Sequence, residues 1–298
     1  MKKRPPHTMD TLLQHLLNGI ILGGTYALLG IGLTLIFGIM NVVNFAHGEF
    51  YTLGAFAAYF FLALLGVNFY VGVAAAIVAG VLIGALCERF VLRPLQGENI
   101  DTVMLVMIGV WIFMQNTELL IWGGIPQSIP HPFSPRPLIV GPLHVNSIRI
   151  FVFVVAFCLI GASHLAIQRT KLGKAMRATF QDREAAALMG VNIHRIHTVT
   201  FAFGSGLAAA AGALLGPIFL VYPSMGDLAA LKAFSVVIMG GLGNFMGATF
   251  GGLMLGVAES LGAGYISSGY KDGIGFIMII FVLLFRPAGL FGRAQRIG

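Results

Sequence analysis

Charge is what this 298-residue sequence has least of. Asp, Glu, Lys and Arg make up only 10% of it, against roughly 25% in a typical soluble protein. A water-facing surface for the two soluble domains that its length would allow cannot be built from so few charges. Cysteine is nearly absent too. Cys87 and Cys158 both lie inside apolar runs and read as small packing residues, which excludes a disulfide scaffold and a zinc site. Catalytic signatures are missing: there is no H-E-x-x-H and no G-x-S-x-G, and Gly173-Lys174 runs into Ala175 without the upstream glycine of a Walker loop. The chain is therefore expected to be no enzyme, to bind no metal or cofactor, and not to hydrolyse ATP itself.

What is present is apolar. Hydrophobic residues reach 57%, with 24 phenylalanines and 40 glycines and a mean hydropathy of +0.90. That combination predicts an all-α polytopic membrane protein whose helices pack closely on small residues. The net charge of +7 does not imply a nucleic-acid partner. Arg89 and Arg93, the run Arg169, Lys171, Lys174, Arg177, Arg183 and Arg195, and the terminal groups Lys2, Lys3, Arg4, Arg286, Arg293 and Arg296 all flank apolar segments. They mark topology in the positive-inside sense, with the lipid bilayer as the surroundings.

Apolar stretches of about 20 residues predict segments near 11–40, 45–66, 69–88, 101–122, 148–167, 196–220, 232–250, 251–266 and 273–291, eight to nine crossings in a single domain spanning 1–298. The first is read as a helix rather than a cleaved leader, since no small-residue cleavage site interrupts it. Residues 123–147 hold six of the twelve prolines and read as an extracytoplasmic loop; residues 168–195 hold six Lys/Arg and read as cytoplasmic. These two placements put Arg89 and Arg93 inside, yet three apparent segments separate them from the basic N-terminus. Either the N-terminus is outside, or an early segment is broken or re-entrant. The glycine-rich stretch 231–252 poses the same difficulty in the second half, and paired irregular segments point to an inverted repeat whose breaks line a pathway.

The chief polar cluster is Asn41-Val-Val-Asn44-Phe-Ala-His47-Gly48-Glu49, set between two apolar runs. Such groups are costly at membrane depth and normally face a cavity or protein. Asn41, Asn44, His47, Gly48 and Glu49, with Gly240, Gly241 and Gly243, are the candidate pathway or gate residues. The alternative is a simple turn in which Asn44 caps a helix and Glu49 sits in its first turn. Asp227 and Lys232 are placed as a rim ion pair, Glu118 and Glu259 as interhelical contacts. The spacings Gly19/Gly23, Gly80/Gly84, Gly212/Gly216, Gly243/Gly247 and Gly252/Gly256 are read as packing seams.

Residues 172–201 differ from everything around them. Lys174 to Met189 reads as one short amphipathic helix closed by Gly190. It fits a docking knob for another protein or a basic face lying on lipid.

Here a resemblance enters. Glu184-Ala185-Ala186-x-x-x-Gly190 resembles the EAA loop of ABC-importer permeases, and GKAMRATFQDREAAALMGV is similar to the Liv-type branch, the high-affinity branched-chain amino-acid permeases. NGIILGGTYALLGIGLTLIFGIMNVVNFAHGEF, LKAFSVVIMGGLGNFMGA and YKDGIGFIMIIFVLLFRPAGLFG resemble the same branch, so the likeness extends from residue 18 to 292. One departure is Thr200, where the general EAA pattern has Ile. The resemblance implies a bacterial inner-membrane subunit that pairs with a second, related permease, two cytoplasmic ATPase subunits that carry the ATP and Mg, and a periplasmic substrate-binding protein. It assigns ATPase coupling to Arg177, Asp182, Arg183, Glu184, Ala185, Ala186 and Gly190. Substrates implied are branched-chain amino acids or, in relatives, urea, short amides or aromatic compounds. A stand-alone channel or ion-coupled carrier is the rival of another class; a membrane enzyme is disfavoured because His47 and Glu49 point to different helix faces.

Overall fold

The computed structural model describes residues 8–292 except Pro135 and Pro142, so Lys2, Lys3, Arg4, Arg293 and Arg296 lie outside the described residues. Eleven α-helices follow one another there: α1 (Thr8–Met40), α2 (His47–Tyr59), α3 (Phe69–Cys87), α4 (Ile100–Trp122), α5 (Ser147–Arg169), α6 (Lys171–Gln181), α7 (Arg183–Leu188), α8 (Ile193–Leu215), α9 (Met225–Gly240), α10 (Phe245–Tyr265) and α11 (Lys271–Phe285). Seven are long and apolar enough to cross a membrane. With the shorter α2, prolonged by a π-helical turn at Phe60–Leu64, and α9, nine segments result, within the expected number.

Helix starts follow side-chain caps at several places. Asn192 accepts a hydrogen bond from Arg195 N (3.0 Å) and Asn244 one from Gly247 N (2.9 Å). The second of these moves an expected boundary. The break expected in the glycine-rich stretch lies at Gly241–Asn244, ahead of the expected segment boundary at 250/251, and there Gly241 and Gly243 adopt φ of +96° and +78°, values that favour glycine. The glycines beyond it stay helical because each lets a neighbouring backbone approach: Gly247 meets Gly240, and Gly252 meets Ala27. Residues 216–220, expected to be helical, form turns that lead into a backbone pairing of Val221 with Gln127. In the proline-rich loop a small antiparallel hairpin, β1 (Leu138–Val140) and β2 (Leu143–Val145), was not foreseen.

Hydrogen bonds fix which ends lie together. Gln14 Nε2 donates to the His144 carbonyl (3.1 Å), His144 N donates to Gln14 Oε1 (2.9 Å), and Arg149 donates to Asn18 Oδ1 (3.0 Å). The start of α1 therefore lies at the hairpin end. Its last turn lies at the opposite end, where Ile39 packs with Met176 of α6 and Ile196 of α8. This settles the odd count: the chain enters α1 from the hairpin side. Helix α8 starts at the α6–α7 end and runs the other way.

The packing then repeats with opposite polarity. Helix α1 packs along α10 as α8 packs along α3; α1 meets α9 as α8 meets α2; and α1 crosses α8 while α2 crosses α9. These are the contacts required if α1–α4 and α8–α11 are related by a twofold in the membrane plane. The glycine seams obey the same relation. A Cβ added at Gly23 would lie 2.8 Å from Leu253 Cα on α10, and one at Gly84 2.6 Å from Ser205 Cβ on α8. Helices α1 and α8 form the centre, with 89% and 83% of their apolar spans buried, against 11% for α4 and α11.

Candidate functional site

The polar cluster at 41–49 lies where the two halves cross. Residues 41–44 are non-helical, and Asn41 holds φ +55°, rare for a residue with a side chain. Helix α2 starts at His47 behind Ala46, which makes no side-chain cap bond. Asn44 is thus not the cap: it is fully buried and neither amide atom has a partner. His47 Nε2 is 3.0 Å from the Leu29 carbonyl, well inside the length of α1. Gly48 packs on Gly226 at the start of α9; a Cβ at Gly48 would meet the Gly226 carbonyl, and one at Gly226 would lie 2.7 Å from Gly48 O and 2.7 Å from Glu49 Oε1. The N-termini of two short helices, one from each half, therefore touch in the interior.

Carboxylates surround this crossing. Glu49 and Glu118, 1% and 2% exposed, lie against each other, and none of their four oxygens receives a hydrogen bond. Asp227, in the first turn of α9, accepts from Trp111 Nε1 (3.1 Å) and Gln115 Nε2 (3.0 Å) of α4. The expected Asp227–Lys232 pair does not form. Five residues carry a side chain about 140° round a helix, and Lys232 instead binds Glu259 (3.0 Å), Asp272 (3.0 Å) and the Tyr26 hydroxyl (2.8 Å). The expected interhelical role of Glu259 is the one found.

Gly240, Gly241 and Gly243 sit elsewhere, at the α6–α7 end. Leu290 N donates to Met239 O (2.8 Å), Phe291 N to Gly240 O (3.3 Å), and Asn244 Nδ2 to Phe291 O (2.8 Å). The turn is thereby tied to the segment after α11.

The expected single helix over 174–189 is two. Asp182 leaves the helical region (φ −156°, ψ 110°), ends α6 and caps α7 by accepting from Ala185 N (2.9 Å). Gly190, at φ +85°, closes α7. Arg183, Glu184 and Ala185 are exposed and Ala186 is buried. Arg177 turns inward: it donates to the Ile167 carbonyl at the end of α5. Three residues that the sequence did not single out stand out in the structure. Leu188 and Met189 are 88% and 85% exposed, an apolar tip beside Glu184. Phe180 seats its ring in a notch of two glycines; a Cβ at Gly243 would lie 2.7 Å from Phe180 Cε2, and one at Gly38 3.1 Å from it.

Residues 15–283 match the family described as branched-chain amino acid transport system, permease component. The chain belongs to this family. It is 38% identical to the high-affinity branched-chain amino acid transport system permease protein BraD of Pseudomonas aeruginosa, over 95% of this chain and 96% of that protein. It is 35% identical, with the same coverage, to the corresponding permease protein LivH of Escherichia coli. Among solved structures, PsaBC from Streptococcus pneumoniae in complex with Fab has a TM-score of 0.53 at 14% identity, covering 93% of this chain and 92% of that one, and so shares the fold. The protein is a multi-pass membrane permease, and the α6–α7 unit and the helix crossing are sites within that family's fold.

Proposed function

We propose that this chain is one of two membrane subunits of an ATP-driven importer for leucine, isoleucine and valine in the bacterial inner (plasma) membrane. Two cytoplasmic ATPase subunits carry the ATP and Mg, a second, related permease completes the pathway, and a periplasmic binding protein delivers the amino acid. The carrying observation is the α6–α7 unit. Its short helix is capped at both ends, by Asp182 and by the left-handed Gly190, and presents Glu184, Leu188 and Met189 outward. An exposed apolar tip beside a charge is what a protein groove buries.

The stroke would travel from this unit inward. Helix α6 is held to α5 through Arg177 and to α1 and α8 through Met176. Phe180 is its contact with the Gly241–Asn244 turn. A push on α6 therefore reaches the end of α9, whose other end is the Gly226–Gly48 crossing. Moving α9 against α2 there changes the depth at which the two halves meet, which is the element an alternating-access cycle needs.

Glu184→Ala and Gly190→Ala test the docking role in a pull-down of the ATPase and in uptake by proteoliposomes. Alanine at φ +85° is strained by about 1 kcal/mol, and both variants are expected to lose association and uptake together. Normal association with normal uptake in both would remove the assignment. For the substrate, a ligand screen of the cognate binding protein decides: capture of urea or an amide in place of leucine, isoleucine and valine would contradict it.

A further inference from the structure

Between α1, α5, α6 and the α9–α10 turn lies a cavity of about 490 Å³, within the range of roughly 300–1,000 Å³ that holds small molecules. Arg177 lines it and gives one N–H to the carbonyl of Ile167, in the last turn of the spanning helix α5. The guanidinium therefore stands where the hydrocarbon of a bilayer gives way to headgroups. Its other donors have no ion-pair partner among the described residues. Gln168 lines the cavity as well. Negative charge is missing from the surroundings: no Asp or Glu lines the cavity, and none occurs between Glu118 and Asp182 or between Asp227 and Glu259, the stretches that supply α5, α6 and the turn. Arg169, Lys171 and Lys174, all exposed, add cations where α5 passes into α6.

The rest of the wall is apolar and continues outside the cavity. Met246 lines it, and Phe250 and Met254 follow at four-residue spacing on the same face of α10. These three are 47%, 44% and 41% exposed. Phe250 also stacks at 5.5 Å on Phe291, another lining residue. A cationic recess is thus joined to an apolar track along a membrane helix. A free phosphate or other soluble anion would use the recess alone; a lipid uses both.

We propose that the recess and the track hold an anionic phospholipid, its phosphate on Arg177 with Gln168 and one acyl chain along Met246, Phe250 and Met254. A planar guanidinium can hold two phosphate oxygens at once, and basic recesses between helices at the cytoplasmic side suit such headgroups. The lipid stands between α6 and the turn that Phe180 touches, and so packs the joint through which α6 acts on α9. That consequence rests on the importer reading above; the binding itself does not.

Native mass spectrometry of the purified full chain tests the site, with dioleoyl phosphatidylglycerol, dioleoyl phosphatidylcholine and inorganic phosphate as probes. Phosphatidylglycerol should be retained at concentrations about tenfold below those that phosphatidylcholine requires. Gln168→Glu sets a carboxylate at the headgroup position and Met246→Asp interrupts the track; each should weaken retention about tenfold. Both positions are exposed, so neither variant disturbs the core. Equal retention of the two lipids, unchanged retention in both variants, or loss of the lipid to an excess of inorganic phosphate would overturn the proposal. In phosphatidylcholine vesicles, leucine uptake by the wild type should rise severalfold as phosphatidylglycerol is added, and uptake by Gln168→Glu should not. Wild-type uptake indifferent to the lipid would remove its role at the joint. Lipid retained with no leucine uptake at any composition would contradict the importer reading and leave the site standing.

Discussion

On one side of α1 the protein holds a partly exposed charge cluster, anchored on the buried Glu259, that compensates itself; at the crossing of α2 and α9 it buries one that does not. Lys232 stands between Glu259 and Asp272, with the Tyr26 hydroxyl donating to Glu259 (2.9 Å) and its ring 4.8 Å below the ammonium. Three helices and α1 are tied at that point. Glu49 and Glu118 have no ion-pair partner among the described residues, and none of their four oxygens receives a hydrogen bond; they face each other, with Asp227 and Trp111 nearby. In the cycle proposed above, the first cluster acts as a brace and the second as a moving part. A cluster with complementary charges is held in one arrangement, because separating the partners leaves each unpaired in a low-dielectric interior. Two facing carboxyls without a cation can part without breaking an ion pair. The unbraced cluster lies where the two halves cross.

The largest effect expected from this comparison is at the brace. Lys232→Met leaves Glu259 buried without its cation and should cost about 3–5 kcal/mol, the penalty for breaking a buried pair, read as a lower midpoint in thermal unfolding of the purified protein. Adding Glu259→Gln should recover most of the loss; if the double variant is as unstable as the single, the ion pair is not the cause. Next comes the crossing itself. Gly48→Ala forces a methyl into the Gly226 carbonyl, an overpacking expected to cost about 1–3 kcal/mol and to abolish uptake, whereas alanine at Gly109, where nothing lies within 4 Å, should leave both unchanged. The smallest effect belongs to the carboxyl pair. Glu118→Gln places an amide donor against Glu49 and should stay within about 1 kcal/mol of wild type; a loss comparable to that of Lys232→Met would mean that Glu118 works as a charge.

The sequence made the brace hard to see and the crossing partly visible. Lys232, Glu259 and Asp272 come from three helices, and only their packing brings them together. Nearness in sequence misplaces the pair: Asp227 is five residues from Lys232, and helical periodicity turns it to another face. The 41–49 cluster was legible because amides, an imidazole and a carboxylate between apolar runs have no cheap place in a membrane. Its counterpart, Gly226-Asp227 opening α9 as Gly48-Glu49 opens α2, emerged only from the structure, since the sequence reading pairs Asp227 with Lys232. Eight to nine segments followed from hydropathy, and the second break was expected in the stretch that holds it, but the helix boundary was set too late at 250/251 because packing against Gly240 and Ala27 keeps Gly247 and Gly252 helical. In the α6–α7 unit the motif pointed to Glu184 and Gly190. It left out Phe180, whose partners Gly38 and Gly243 are distant in sequence and have no side chains to suggest a contact.

That contact carries the account. In proteoliposomes holding the full complex, Phe180→Ala should keep ATPase association and stimulated ATP hydrolysis while amino-acid uptake falls by an order of magnitude or more, and Phe180→Leu should restore part of it. Uptake and hydrolysis falling in step, or uptake unchanged, would contradict the route from α6 through the glycine notch to the crossing of the two halves.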